Sequence, residues 1–279
     1  MATPFLPDEP IKDEYFINES ERSVDPTDDE GKLAQLEDDG QFHPNFIPVK
    51  PLNVQEFETP GAFTWTKPTR GTFAFIELLG AGASGACSRR NDSTNVLATG
   101  GGGGAYRRFW VPLSALAATV DGIVGAGGAS IVISSQTFSN GAAGGATSFG
   151  LLSAAGGQTG GVSTGSSVAA AAGGVASSFG QNGGQSGEAV TIGGAVNAPN
   201  TEFSSPGGGS AGNSNTGTGG TAMFNGGVGG NAAYGTGASN VTATNGVRGG
   251  GGGAAVANSS SGTITSGKGG DGYVRITVF

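Results

Sequence analysis

The stretch Gly80–Gly85 is the first whose residue types and spacing could do chemistry. It reads Gly-Ala-Gly-Ala-Ser-Gly, which matches the G-x-G-x-x-G pattern that holds the pyrophosphate of a dinucleotide. Such a site also needs a helix with an apolar face directly afterwards, and an acidic residue about 20 positions further on for the ribose. Here the following residues are polar, and a glycine run at 100–104 stands where the acid is needed. Chance matches are expected in a chain with 57 glycines, so we predict no nucleotide site.

Cys87 and His43, the single cysteine and the single histidine, are the other residues with catalytic or metal-binding chemistry. One cysteine forms no internal disulfide, and one cysteine with one histidine is too few for a structural zinc site. His43 lies in a proline-rich stretch with no Cys or Ser beside it to activate, and Cys87 is interpreted as a small loop residue. The sequence offers no Walker motif, no nucleophile elbow with a usable histidine and no glycosidase carboxylate pair. We therefore expect a non-enzymatic protein that uses no cofactor.

The negative charge of the chain is concentrated at its beginning. Residues 1–50 hold 13 acidic and 4 basic residues, a net charge of −9, whereas the rest of the chain has a net charge of +1. Acidic runs such as 28–30 and 37–39 repel themselves, and seven prolines within residues 1–54 interrupt regular structure. These features predict an extended acidic arm over residues 1–54 that does not fold alone.

Apolar residues spaced along this arm distinguish it from a plain solubilising tail. A chain that only keeps a protein in solution has little use for them, whereas an arm that docks into the grooves of a partner needs such anchors. The alternative is a free acidic tail. The predicted docking residues of the arm are Phe5, Tyr15, Phe16, Leu33 and Phe46.

Charge and hydropathy also restrict the partners. Binding to nucleic acid needs clustered Lys and Arg, and the only adjacent basic pairs are Arg89-Arg90 and Arg107-Arg108. No run of 18 apolar residues occurs, so we predict no insertion into a membrane. We expect neither a nucleic-acid partner nor a membrane span.

Residues 55–133 and the C-terminal segment 272–279 predict a small antiparallel β base. The C-terminal segment alternates, with Val274, Ile276 and Val278 on one face, and must pair with a strand elsewhere. Region 55–133 is its expected partner, because short aromatic and β-branched runs recur there. The predicted strands in that region run from Ala62 to Thr66, Thr72 to Leu79, Tyr106 to Leu113, Ala118 to Val124 and Ser130 to Ser134.

The middle segment, 134–271, alternates glycine clusters with stretches rich in Ser, Thr, Ala, Asn and Val. One interpretation is a disordered linker, because glycine loses the most backbone entropy on ordering. Disordered chains, however, usually carry charge and proline, and residues 151–271 hold only five charged residues and two prolines. We favour the other interpretation, a sandwich of extended polyglycine-II-type helices with about three residues per turn, whose backbone groups bond sideways. The expected fold class is therefore mostly β, with an antiparallel base, a polyglycine-type domain over 134–271 and the extended arm.

Several phrases of the sequence resemble a glycine-rich domain that is common in phage and prophage structural proteins. The resemblance begins at residues 63–68 (FTWTKP) and continues through 77–82 (ELLGAG). It closes with residues 269–276 (GGDGYVRI) and covers roughly 57–279. More loosely, the chain resembles the tip adhesins of tailed-phage long tail fibres, in which polyglycine helices form a rigid sandwich and the loops between them touch the host receptor.

The resemblance implies a virion protein. Residues 31–48 are similar to a linker phrase of phage tail and fibre proteins, which implies that residues 1–54 attach to another structural protein of the particle. The first function hypothesis is a tail-fibre or receptor-binding adhesin on the particle surface. The second is a capsid decoration or tail-assembly protein without receptor binding, and the third is a subunit of a bacterial surface filament. A homo-oligomer is left open.

Aromatic residues in the segments between glycine clusters are the candidate receptor contacts, because binding energy concentrates in few aromatic or Arg anchors. The host partner would be a surface glycan or an outer-membrane protein. The alternative is that these rings cap the edges of the glycine sandwich. The candidates are Phe138, Phe203 and Tyr234.

Overall fold

The structure is a computed structural model and describes residues 53–90, 97–164, 167–176, 180–190, 194–195, 197–212, 215–223, 226–236 and 240–279. Residues 51–279 group into one compact unit. Within the described ranges no helix has the length and apolar character needed to cross a bilayer.

The described residues are almost entirely strands and extended segments, which confirms the expected mostly-β class. Among the described residues, the one helical element is a 3₁₀ turn at Leu113–Ala115. The strands are β1 (Asn53–Phe57), β2 (Gly61–Thr66), β3 (Phe73–Leu79), β4 (Cys87–Arg90), β5 (Leu97–Ala98), β6 (Tyr106–Pro112), β7 (Thr119–Val124), β8 (Val132–Ile133), β9 (Phe138–Ser139), β10 (Thr147–Phe149), β11 (Leu152–Ala154), β12 (Val162–Ser163), β13 (Ser167–Val168), β14 (Gly180–Gln181), β15 (Ala189–Val190), β16 (Gly194–Ala195), β17 (Ala233–Thr236), β18 (Val241–Thr242), β19 (Ala255–Asn258), β20 (Ile264–Thr265) and β21 (Tyr273–Val278).

Two antiparallel sheets pack face to face around the largest apolar core. Sheet A has the strand order β1-β21-β3-β6-β14, and sheet B has the order β11-β10-β7-β2. Trp65 and Phe149 of sheet B are almost fully buried and meet edge to face, with 5.6 Å between their ring centroids. From sheet A the core receives alternate residues of β3 and β21, among them Ile76 and Ile276, which are paired directly across the two strands.

The C-terminal strand is paired, as its alternating pattern predicted, and the structure gives it a partner on each side. β21 lies between β1 and β3, so its partner does come from the β-rich region 55–133. β1 begins at Asn53, two residues before the predicted start of that region, and closes one edge of the sheet.

A second pair of sheets contains parallel strands that the sequence did not predict. Sheet C has the order β17-β19-β4-β9, with β17, β19 and β4 parallel, and sheet D has the order β18-β20-β8. Their shared core includes Cys87, Val241 and Ile264. The interpretation of Cys87 as a loop residue was wrong, since it is the first residue of β4 and fully buried. Two small antiparallel sheets, β12-β5 and β13-β15-β16, complete the described strands.

The glycine clusters join these sheets through hydrogen bonds that run in many directions. Along residues 80–86, successive N–H groups donate to three neighbouring segments in turn, so that every third residue donates to the same segment. Ala81 and Ser84 donate to the segment at 142–145, while the residues between them donate to segments at 99–105 and 267–270. The carbonyl oxygens accept from three further segments, at 128, 157–160 and 252–255. One extended strand of backbone is therefore bonded to six others, whereas a strand in a sheet is bonded to two.

Glycine is required there by close approach rather than by its backbone angles. Among the described glycines, only Gly61, Gly71, Gly150, Gly249 and Gly262 have a positive φ. A Cβ on Gly101 would stand 2.1 Å from the carbonyl oxygen of Ala83, a distance that no real Cβ adopts. The segment that resembled a dinucleotide loop, Gly80–Gly85, is part of this network and leads into β4, not into a helix.

Candidate functional site

The outer face of sheet A, turned away from the Trp65 core, is where aromatic and charged side chains gather. Because strand residues alternate between faces, β3 directs Ala74, Ile76 and Leu78 to the core, so the residues between them face outward. The corresponding outward residues of β6 are Arg108 and Trp110, which pair with Glu77 and Phe75.

A row of alternating charges crosses this face. The register aligns Glu56, Arg275, Glu77 and Arg108 side by side on β1, β21, β3 and β6. Arg275 lies 3.5 Å from the Glu56 carboxylate and 4.0 Å from the Glu77 carboxylate. The Tyr106 hydroxyl donates to Glu77 Oε1 at 2.6 Å. Burial and this hydrogen bond to a carboxylate both raise the pKa of Tyr106, so the hydroxyl stays protonated.

Beside the charged row lies a strip of aromatic rings. Trp110 packs against Phe75, with ring centroids 4.8 Å apart, and against Phe279 at 5.5 Å. These neighbours hold the indole in place, yet 63% of Trp110 remains exposed. Phe73, the first residue of β3, is also exposed. Exposed large rings in a cluster mark an interaction surface more often than scattered apolar residues do.

Phe203 forms a wall above one end of this strip. Its ring stacks on Tyr106, with 6.0 Å between centroids, and its backbone N–H donates to Gln181 Oε1 at 3.2 Å. Gln181 Nε2 in turn donates to the Glu202 carboxylate at 3.2 Å. Between this wall and the sheet lies a groove of about 630 Å³, a volume in the range of small-molecule sites. Its lining includes Tyr106, Arg108, Trp110, Gln181 and Phe203.

Arg108 is the positive charge in this groove. Its guanidinium carbon lies 5.7 Å from the centroid of the Phe203 ring, a cation–π distance. The Glu77 carboxylate beside it is engaged by Tyr106 and faces Arg275. Within the described ranges no hydrogen bond or ion pair holds the Arg108 guanidinium, so its donors are available to a ligand.

Residues 58–279, which include the glycine network and every described strand except β1, match the family model described as the glycine-rich domain. The chain belongs to the glycine-rich domain family. This confirms the resemblance for the domain itself, whose predicted start was residue 57. No curated protein matches the chain.

The glycine-rich domain places the three candidate receptor residues at two sites. Phe203 is the groove wall described above. Tyr234 and Phe138 lie in one row across sheet C, where Tyr234 pairs with Val256, Val256 with Ser88 and Ser88 with Phe138. Tyr234 is half-buried against the alanine-rich cluster around Val256, whereas Phe138 is 50% exposed at the opposite edge.

The predicted docking residues of the arm, Phe5, Tyr15, Phe16, Leu33 and Phe46, lie outside the described residues of the chain. Sequence reasoning missed Arg108 and Trp110, because it weighed the basic pair at 107–108 only as a possible contact to nucleic acid. A signal was present, since Phe73 and Phe75 alternate with core residues of β3 and so predict an aromatic outer face.

Cys87 offers no reactive thiol to this domain in its folded form. Burial raises the pKa of the thiol from 9.0 to about 11, so it stays protonated at neutral pH. The sulfur donates to the carbonyl oxygen of Ile131 at 3.3 Å. Its position in the core of sheets C and D indicates a packing role.

Proposed function

We propose that the protein is a non-enzymatic structural protein of a phage particle, which serves as a tail-fibre or receptor-binding adhesin at the particle surface. Residues 1–54 would attach it to another virion protein through their acidic and apolar residues. The glycine-rich domain would carry the contact surface for a host glycan or outer-membrane protein. The resemblance of its opening and closing phrases to phage structural proteins supports this setting.

The observation that carries the proposal is the backbone network in which one glycine segment is bonded to six others. A return to the same neighbour after three residues is what polyglycine-II helices side by side require, since such helices have about three residues per turn and no internal hydrogen bonds. We propose that these segments are helices of that type. They would hold the groove and the intervening loops rigidly, which lowers the entropy lost when a receptor binds.

The groove chemistry favours recognition over reaction. Besides Val111, its side chains are aromatic rings, an amide and one guanidinium, which stack, donate hydrogen bonds and attract anions. The exposed strip around Trp110 also suits the second candidate, a decoration or tail-assembly protein that uses the strip to bind a virion partner.

The experiment has two parts. Mass spectrometry of purified particles should find the protein, and a variant lacking residues 1–50 should be soluble yet absent from particles. Purified full-length protein should then compete with particles for adsorption to host cells. Normal incorporation of the truncated variant would contradict the attachment role, and incorporation without competition would favour the decoration role.

A further inference from the structure

The groove between Trp110 and Phe203 combines a flat apolar floor with an uncommitted positive charge. The floor is the Trp110 indole, which is 63% exposed and packs against two further rings at centroid distances of 4.8 and 5.5 Å. One face of a pyranose ring is lined by C–H groups and matches a flat aromatic surface of this kind. Because the indole is already fixed by Phe75 and Phe279, little side-chain entropy remains to be lost on binding.

The charge at the side of the floor selects among sugars. Arg108 presents a planar guanidinium whose donors match a carboxylate in a bidentate arrangement, and no carboxylate of the described chain occupies it. The cation–π contact with the Phe203 ring keeps this guanidinium at the groove wall, with its central carbon 5.7 Å from the ring centroid. Gln181 also lines the groove, and its amide nitrogen, which donates one hydrogen to Glu202, keeps a second that can meet a hydroxyl.

We propose that this groove binds an acidic carbohydrate, whose ring stacks on Trp110 and whose carboxylate is bound by Arg108. The proposal rests on the proposed receptor-binding function and specifies the chemistry of the host ligand. A volume of about 630 Å³ accommodates one or two sugar units. The Glu202 carboxylate, held by Gln181, limits the acidic groups on the ligand to the Arg108 side.

The two tryptophans allow binding to be located directly. Trp65 is fully buried and Trp110 is exposed, so acrylamide quenches fluorescence mainly from Trp110. The full-length protein is titrated with trigalacturonic acid, with neutral maltotriose and with triglutamate, an acidic peptide. We expect trigalacturonic acid to shield the fluorescence from quenching, and maltotriose to bind on the order of tenfold more weakly, because it lacks the carboxylates that meet the guanidinium.

Saturation-transfer NMR then compares variants. Trp110→Ala should weaken trigalacturonic acid binding by at least about tenfold, as expected for an aromatic anchor. Arg108→Gln should abolish the preference for the acidic sugar, and Arg108→Lys should restore part of it, since lysine keeps the charge without the planar fork. Leu151→Ala, which removes a fully exposed apolar side chain from the turn between β10 and β11 of sheet B, is the control and should leave binding unchanged.

Three results would overturn the proposal. The first is that neither sugar binds. The second is that trigalacturonic acid binds Trp110→Ala or Arg108→Gln as tightly as it binds the wild-type protein. The third is that triglutamate binds as tightly as trigalacturonic acid, which would assign the groove to an acidic peptide. These outcomes are separable from the function proposed above. A protein that blocks particle adsorption but binds no acidic sugar keeps its role and loses only this ligand.

Discussion

The backbone of Gly104 lies so close to that of Gly80 that a Cβ atom on Gly104 would stand 1.9 Å from the Gly80 carbonyl oxygen. The contact is between two backbones, and Gly80 also donates its N–H to Ala105 on the same segment. A methyl group at this position can be accommodated only if the two segments separate, and the hydrogen bonds around them are then lost.

Gly104→Ala should therefore destabilise the protein by more than about 3 kcal/mol, or prevent folding altogether, because it overpacks a backbone contact. Urea unfolding followed by circular dichroism measures the change. Gly150→Asn is the control, since Gly150 has a φ of +55°, which Asn tolerates, and its Cβ would meet only Val120 at 3.3 Å. The control should lose about 1 kcal/mol or less. Equal losses in the two variants would show that crowding is not the reason for glycine at 104.

Amide exchange in the glycine network should be slow, although few side chains cover it. Gly251, Gly252 and Gly253 donate to Pro206, Ala83 and Thr244, on three different segments. Opening one amide therefore requires several segments to separate, and its exchange should follow the global unfolding of the domain. Hydrogen exchange across residues 249–255 is expected to be as slow as in β3, whereas exchange at random-coil rates would show that the network does not persist in solution.

The sequence predicted the strands whose apolar residues alternate and missed those that depend on tertiary position. β3, β6, β7 and β21 were expected from their patterns, and so was the pairing of β21 with the β-rich region. The parallel pairing of β4 with β19 was not, because the buried alanines of β19 and the polar residues of β4 give no period-two signal. Glycine runs also lack the side chains that would encode which segments meet.

The sequence predicted only part of the candidate site, because the rest of the site also depends on tertiary position. Phe203 was selected as an aromatic residue between glycine clusters, and the structure brings it to Tyr106 and Arg108. The partner residues come from a strand about 95 positions earlier, and no local pattern links the two segments. Only the fold shows that Phe203 closes a groove over β6.

Arg89 is a buried cation that the sequence did not reveal, and replacing it should be costly. The side chain is almost fully buried, and its guanidinium donates to the carbonyl oxygens of Ser134 and Gly262 at 2.6 Å and of Ser259 at 3.2 Å. Arg89→Met would leave these acceptors without a donor, so we expect a loss of about 3 kcal/mol or more. Arg70→Met, at an exposed position, should change stability by less than about 0.5 kcal/mol. Comparable urea midpoints for both variants would contradict the assigned role of Arg89.

The free energy of unfolding should decrease at alkaline pH because of Cys87. In the unfolded chain the thiol ionises from about its ordinary pKa of 9.0, whereas the folded protein keeps the proton until about pH 11. The folded state then binds more protons between these values, so the contribution of this thiol to the free energy of unfolding is constant below about pH 9 and decreases as the pH rises to about 11. The decrease attributable to this thiol is about 1–3 kcal/mol.

Cys87→Ala removes this contribution, and the difference between the wild-type and variant stability curves isolates it from other alkaline effects such as the titration of Tyr106. Urea unfolding at pH 7, 9 and 10.5 provides the measurement. A difference between the two proteins that stays the same at all three pH values would show that the thiol does not titrate with folding. Thiol reagents at pH 8 should likewise label the native protein far more slowly than the unfolded chain.

Replacing Phe203 and Phe138 one at a time should show which of these predicted receptor residues contacts the receptor and which only packs within the fold. Phe203 is half-buried against Tyr106 and carries the Arg108 cation, so Phe203→Ala should cost about 1–2 kcal/mol of stability and also open the groove. Phe138 is 50% exposed at an edge of sheet C, so Phe138→Ala should cost less than about 0.5 kcal/mol. If the groove is the receptor site, purified Phe203→Ala protein, assayed well below its melting temperature, should compete poorly with particles for adsorption, while Phe138→Ala should compete as well as wild type. The reverse order of the two variants in that competition assay would move the receptor contact from the groove on sheet A to the edge of sheet C.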